Sequence, residues 1–150
     1  MNDLTQAAAE LLKETFQGAT EQGSWYVTTE KNAGIFGTLE QLSAEQASIS
    51  HGGATIAAHA DHIRYYLEVA RTYIRGKEHE RDWGKSWKID HVDESEWSKI
   101  QQALREEYEA MQADLQAGFW QDEYKTNVLA ALAHSAYHLG ALRQMIKPVS

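Results

Sequence analysis

The only proline of this 150-residue chain is Pro148, at its extreme end, so nothing before it is forced to interrupt a helix. Glycines supply the punctuation instead, and the segments between them repeat their apolar residues with a helical period. Asp3 to Gln17 places Leu4, Ala8, Leu11 and Thr15, with Leu12 and Phe16, at steps of three and four, and Asp3 is available as a cap. Residues 18–31 carry two glycines and four short hydroxyl residues around Trp25, Tyr26 and Val27, the composition of a connection. A helical pattern returns through Ile35, Phe36, Leu39 and Leu42. Ser43-Ala44-Glu45-Gln46 then has the spacing of a capping box, so a fresh turn starts there. Ser48 to Gly53 reads as a loop.

The longest candidate helix runs from Ala54 to Arg75, with Ile56, Ala60, Ile63, Leu67, Ala70 and Ile74 in one stripe, Thr55 or Ser50 as its cap and Gly76 as its stop. Residues 77–92 are polar but contain Trp83 and Trp87, which suggests a loop pinned by aromatic side chains and able to roof a site. Asp93 with Glu96 forms another capping box and opens a stripe of Trp97, Ile100, Leu104, Tyr108, Met111 and Leu115. After Gly118, Asp122 can cap a last helix whose stripe is Tyr124, Val128, Leu132, Ser135, Leu139, Leu142 and Ile146. The pattern predicts an all-α single domain over residues 1–150. It is a four-helix bundle with main helices near 3–17, 54–75, 93–117 and 122–147 and one additional short helix near 32–42.

Composition narrows the function. Fourteen basic and twenty-two acidic residues give a net charge of −8, which repels phosphate backbones and anionic lipid heads, so no nucleic acid and no membrane partner is expected. There is no cysteine, which excludes a thiolate metal site and a cysteine nucleophile. Any metal must be held by histidine and carboxylate. The N-terminus lacks a basic region followed by an apolar run, and no stretch is long enough to span a bilayer, so the expected location is cytoplasmic.

Seven histidines occur, and four of them fall inside the two clearest helical patterns. His134 and His138 stand one turn apart, so their rings project from one side and can share an ion. Turning each helix at about 100° per residue puts this pair on one flank of the core stripe, and His59, His62 and Tyr66 on the corresponding flank of the earlier helix. Flanks that converge beside a bundle core make a pocket. Pattern alone leaves two readings open: a metal site, or a core His59 bonded to a local partner with the other three wet. His51, His79 and His91 lie in loops and read as solvent-facing. Asp61 and Glu68 read as solvated charges on helix faces, so no general base can be chosen.

The segment Gly52-Gly53-Ala54-Thr55-Ile56-Ala57-Ala58-His59-Ala60-Asp61-His62-Ile63, followed by His134-Ser135-Ala136-Tyr137-His138-Leu139-Gly140, resembles the DinB/YfiT-like family of metal-dependent enzymes. The resemblance runs over essentially the whole chain. It implies a four-helix bundle holding a divalent metal with three histidines: His62, seven residues after the hydroxyl of Thr55, and the pair His134 and His138 that closes in Tyr-His-x-Gly. His59 matches a further histidine found in many members, and the resemblance makes it a residue behind the ligands or an alternative ligand. One departure is Ala141-Leu142, where a Gln-Ile pair is common.

Three neutral imidazoles without a carboxylate leave the ion's double charge for an incoming group, an active-site arrangement. The metal would be zinc, nickel or iron, since nitrogen donors serve all three. By resemblance the chemistry is that of a transferase using a low-molecular-weight thiol, which the absence of cysteine fits because the thiol must come from outside. The alternatives are a metal-dependent hydrolase and a noncatalytic bundle that binds a metal or a small molecule. The expected partners are a small-molecule substrate and a second copy of the chain, since family members often pair and fifteen aromatic residues exceed what one small core needs.

Overall fold

The computed structural model describes residues 3–118 and 122–149, and within them the chain is helical, with one isolated bridge between Thr20 and Gly23 and no strand. The elements are α1 (Asp3–Gln17), α2 (Ile35–Glu40), α3 (Ala44–Ala47), α4 (Ile56–Ile74), α5 (Glu94–Gln116) and α6 (Lys125–Met145). Single 3-10 turns stand at Ser86–Lys88 and Asp122–Tyr124. The four long helices match the expected ones to within a few residues at each end. The predicted short helix is two pieces, α2 and α3, because the Ser43 capping box starts α3 afresh: Gln46 N–H donates to Ser43 Oγ at 3.1 Å and Ser43 N–H to Gln46 Oε1 at 2.9 Å. The caps expected of Asp3 and Asp122 fall on side chains outside the described ones. Among the described residues no helix is long and apolar enough to cross a membrane.

Helix α4 packs against α5 and α6, and α1 closes the bundle against the same two partners. The predicted α4 stripe is the heart of the core, with Ile56, Ala60, Ile63, Leu67, Ala70 and Ile74 all buried. Trp97 is 2% exposed and its indole N–H donates to Leu42 O at 3.0 Å, joining α5 to the turn between α2 and α3. Phe16, Phe36 and Tyr108 form a three-ring cluster among α1, α2 and α5, with centroids 4.8 to 5.4 Å apart.

Helix α1 keeps most of its predicted stripe, with Ala8, Leu12, Thr15 and Phe16 buried, but Leu4 is exposed and Thr5 and Ala9 are buried beside it. Small and hydroxyl residues fill the close contacts, and Thr15 hides its polarity by donating to Leu11 O at 2.7 Å. Where α1 ends and α2 begins the backbones nearly touch: a Cβ on Gly34 would lie 2.4 Å from Gly18 N, and Gly18 itself has φ +85°. Between them the connection is tied down by Glu14, a buried carboxylate that accepts the N–H groups of Trp25, Tyr26 and Val27 at 2.6, 2.8 and 3.2 Å.

Candidate metal centre

Thr55 sets the start of α4. Its hydroxyl oxygen accepts from Ala58 N–H at 3.1 Å and donates to Ile89 O at 2.7 Å, capping the helix and holding the following loop against it. Three residues into the helix comes His59, and three further on His62. From α6, His134 and His138 face them across the seam.

The ring nitrogens converge. His62 Nε2 lies 3.0 Å from His134 Nε2, and His62, His134 and His138 each offer one nitrogen within 4.8 Å of the others. A tetrahedral ion with nitrogen ligands at its usual bond length needs nitrogens about 3.3 Å apart, a separation compatible with these limits. His59 stands behind: its Nδ1 is 3.2 Å from His138 Nδ1. The group of three whose nitrogens close within 4.8 Å of one another does not include it. The other ring nitrogens of His62 and His134 are buried without a partner.

Electrostatics favour the neutral rings a metal requires. Burial, then the neighbouring imidazoles of His138 and His62, push His134 down to about 3. Burial, then His62 and His59, push His138 down to about 4. Burial lowers His62, partly offset by the Asp61 carboxylate, and burial with the nearby His62 lowers His59. His134 and His138 are therefore unprotonated at neutral pH, and His59 and His62 are shifted in the same direction, which favours lone pairs available for coordination.

Aromatic rings frame the cluster. Trp87 lies against His62 with centroids 4.4 Å apart and meets His59 edge-on at 5.0 Å. Trp83 stands further back, against Tyr65 and Tyr66. The expected roof is thus mainly Trp87, with Trp83 as its support. Tyr66 stacks on His134 at 3.7 Å and 12°. Its helical angle, beside those of His59 and His62, was the signal for this contact. A cavity of about 760 Å3 opens over the cluster, with Trp87, Tyr137, Ala141 and Gln144 among its walls and no carboxylate, lysine or arginine among its lining residues. Ala141 lines it at the first place of the departing pair, and Gln144 brings an amide to the same wall.

Several single residues depart from expectation. His51 and His91 are exposed, as the loop reading predicts. His79 is not: its Nε2 meets Glu68 Oε2 at 2.8 Å and its ring is half-buried beside Tyr65. Asp61 is no solvated charge either, since it pairs with Arg64 at 2.9 Å and accepts from Ser86 Oγ at 2.6 Å. Glu68, besides holding His79, receives Arg64 at 3.3 Å. Both carboxylates are engaged in fixing the loop, and neither lines the cavity over the histidines.

The family model of the DinB superfamily matches residues 29–142, a stretch that contains Thr55 and all four clustered histidines and leaves out α1. No curated protein and no solved structure gives a significant match.

Proposed function

This chain belongs to the DinB superfamily, and from that premise we propose that it is a metal-dependent enzyme. In this reading His62, His134 and His138 ligate a divalent zinc, nickel or iron ion that activates a low-molecular-weight thiol for transfer to a small organic substrate. The observation that carries the reading is the convergence of three neutral ring nitrogens on one open cavity. A bound ion supplies positive charge for an incoming sulfur or oxygen anion at positions the protein leaves open.

The side chains do the rest. His59 orients His138 through the contact between their Nδ1 atoms. Tyr66 and Trp87 fix the planes of His134 and His62 and keep water from those ring faces. Tyr137 and Gln144 present a hydroxyl and an amide at the cavity wall, suited to hydrogen-bonding a polar part of the substrate. The chain has no thiol of its own, so the sulfur must arrive with a small molecule. The proposal includes a homodimer, supported by the exposed Tyr137 and Leu129 on α6, which are 75% and 40% accessible.

Titrating the metal-loaded protein with a panel of small thiols tests the function. Tryptophan fluorescence, or the visible spectrum after cobalt substitution, should change, and the change should vanish in His138→Ala. A silent thiol panel together with metal-dependent hydrolysis of simple esters or amides would establish the hydrolase instead. Silence in both assays, with chelation unfolding the chain, would make the metal structural.

A further inference from the structure

Beside the histidine cavity, a second chamber lies against the start of α4 and the end of α6. The two share His59 as a common wall. On the α4 side the lining runs on from His59 to Ile56 and Ala54, and on the α6 side from His138 to Met145. Ile49, Pro148 and Val149 complete the far end of a space of about 230 Å3 that is open to solvent on one side, where His51, Gly53 and Pro148 are exposed. Val149 is held in place by its carbonyl, which accepts from Gln46 Nε2 at 2.9 Å. The family match ends at residue 142, so Met145, Pro148 and Val149 build this wall from outside the matched stretch.

The two chambers differ in chemistry. The first carries the histidine cluster, Tyr137 and Gln144. The second is aliphatic apart from His51 and the shared His59. Among the described residues, no carboxylate, lysine or arginine lines either one. A second charge on a ligand would find no partner there, and burying an unpaired charge is costly.

We propose that the second chamber receives the apolar arm of the substrate while its metal-binding head occupies the histidine cluster. The inference rests on the metal reading above and gives it a substrate class: a molecule with one anionic or metal-coordinating head and an otherwise uncharged aliphatic chain or single ring. His59, at the junction, is a positioning residue that fixes where head gives way to arm. Burial of each methylene in such a chamber raises affinity about fourfold.

Straight-chain alkyl hydroxamates, from acetohydroxamate to octanohydroxamate, test this on the cobalt-loaded full chain. The visible spectrum reads the head and the dependence of affinity on chain length reads the arm. The expected result is a spectral change with every member, an affinity rising about fourfold per methylene until the chamber fills, and a slope that collapses in Ile49→Asp and Met145→Asp. Ile49 is 36% exposed, so its variant guards against loss of folding as the cause. A spectral change with no chain-length slope, or a slope that survives in both variants, overturns the chamber and leaves the metal site standing. A slope seen by tryptophan fluorescence without any spectral change supports the chamber and overturns the metal reading. Silence in both overturns both.

Discussion

His62 and His134, carried by different helices, bring their Nε2 atoms to 3.0 Å. Two imidazoles at that distance either take opposite roles, one donating and one accepting, or turn both lone pairs to a shared cation. With His134 held unprotonated down to about 3 and His138 to about 4, two charged rings are excluded at neutral pH.

Changing His62, His134 or His138 to Ala should remove most bound divalent metal, measured by elemental analysis of protein purified without chelator. His59→Ala should still fill at saturating metal but bind about 10- to 100-fold more weakly, the usual effect of losing a partner that orients a ligand. His79→Ala should match the parent, because His79 pairs with Glu68 and stands outside the cluster. Equal affinity in all five proteins would remove the assignment.

Acid should act on the metal-free chain in a defined window. The clustered histidines have folded pKa values below the unfolded 6.5. The unfolded chain therefore takes up protons first, and the stability these groups contribute is complete above about pH 6.5 and falls as the pH drops toward 4. Each ring can account for at most about 1.4 kcal/mol per pH unit. Urea denaturation at pH 7.5 and pH 5 should show the loss, and His134→Gln should show less of it. Identical pH dependence in the two proteins would mean the ring is not shielded as described.

Asp114 should be a strong stability determinant although it is remote from the site. Its side chain is 3% exposed and receives Arg75 at 2.6 Å and Arg71 at 3.1 Å, joining α4 to α5. Burial alone would raise its pKa, but the hydrogen bond from Arg75 and the charge of Arg71 override it, and the net direction is down. The contribution is therefore present above the unfolded carboxylate pKa and is lost as pH falls through the lower folded value. Asp114→Asn should cost roughly 2–4 kcal/mol at pH 7 and progressively less in acid, with metal binding retained at low temperature. Thermal melts at pH 7 and pH 3 check both parts.

Light scattering across the micromolar range should give the mass of two chains, and Tyr137→Glu should shift it toward one. Monomer mass for the parent at every concentration would dismiss the pairing of copies.

The long helices and the histidine cluster were legible because both rest on a repeat of three and four residues. The α4 stripe is buried along its whole length, and His134 with His138 needed only one turn of the same helix. Helix α1 was harder at its edges, since Thr5 and Ala9 bury as well as leucine does when helices approach closely, and their hydropathy does not announce it. The partner of His79 was illegible for another reason: Glu68 is eleven residues away, across a helix end and a loop, where no periodicity operates. The same holds for Trp87. A tryptophan in a polar loop predicts burial against something, but only the fold names His62.

The loop over the site is fastened to α4 at intervals along the helix. Thr55 holds Ile89, Asp61 holds Ser86, Tyr65 holds Asp82 and Glu68 holds His79. A flap that opens and shuts must swing free of its neighbour, and this one would have to surrender all of these bonds together. The doorway to the histidines thus has a fixed frame on that side. In the proposed reaction, turnover would then follow diffusion through a standing aperture and the chemistry behind it, with no gating step of its own from this loop, and guests would be sorted by their outline before they reach the histidines.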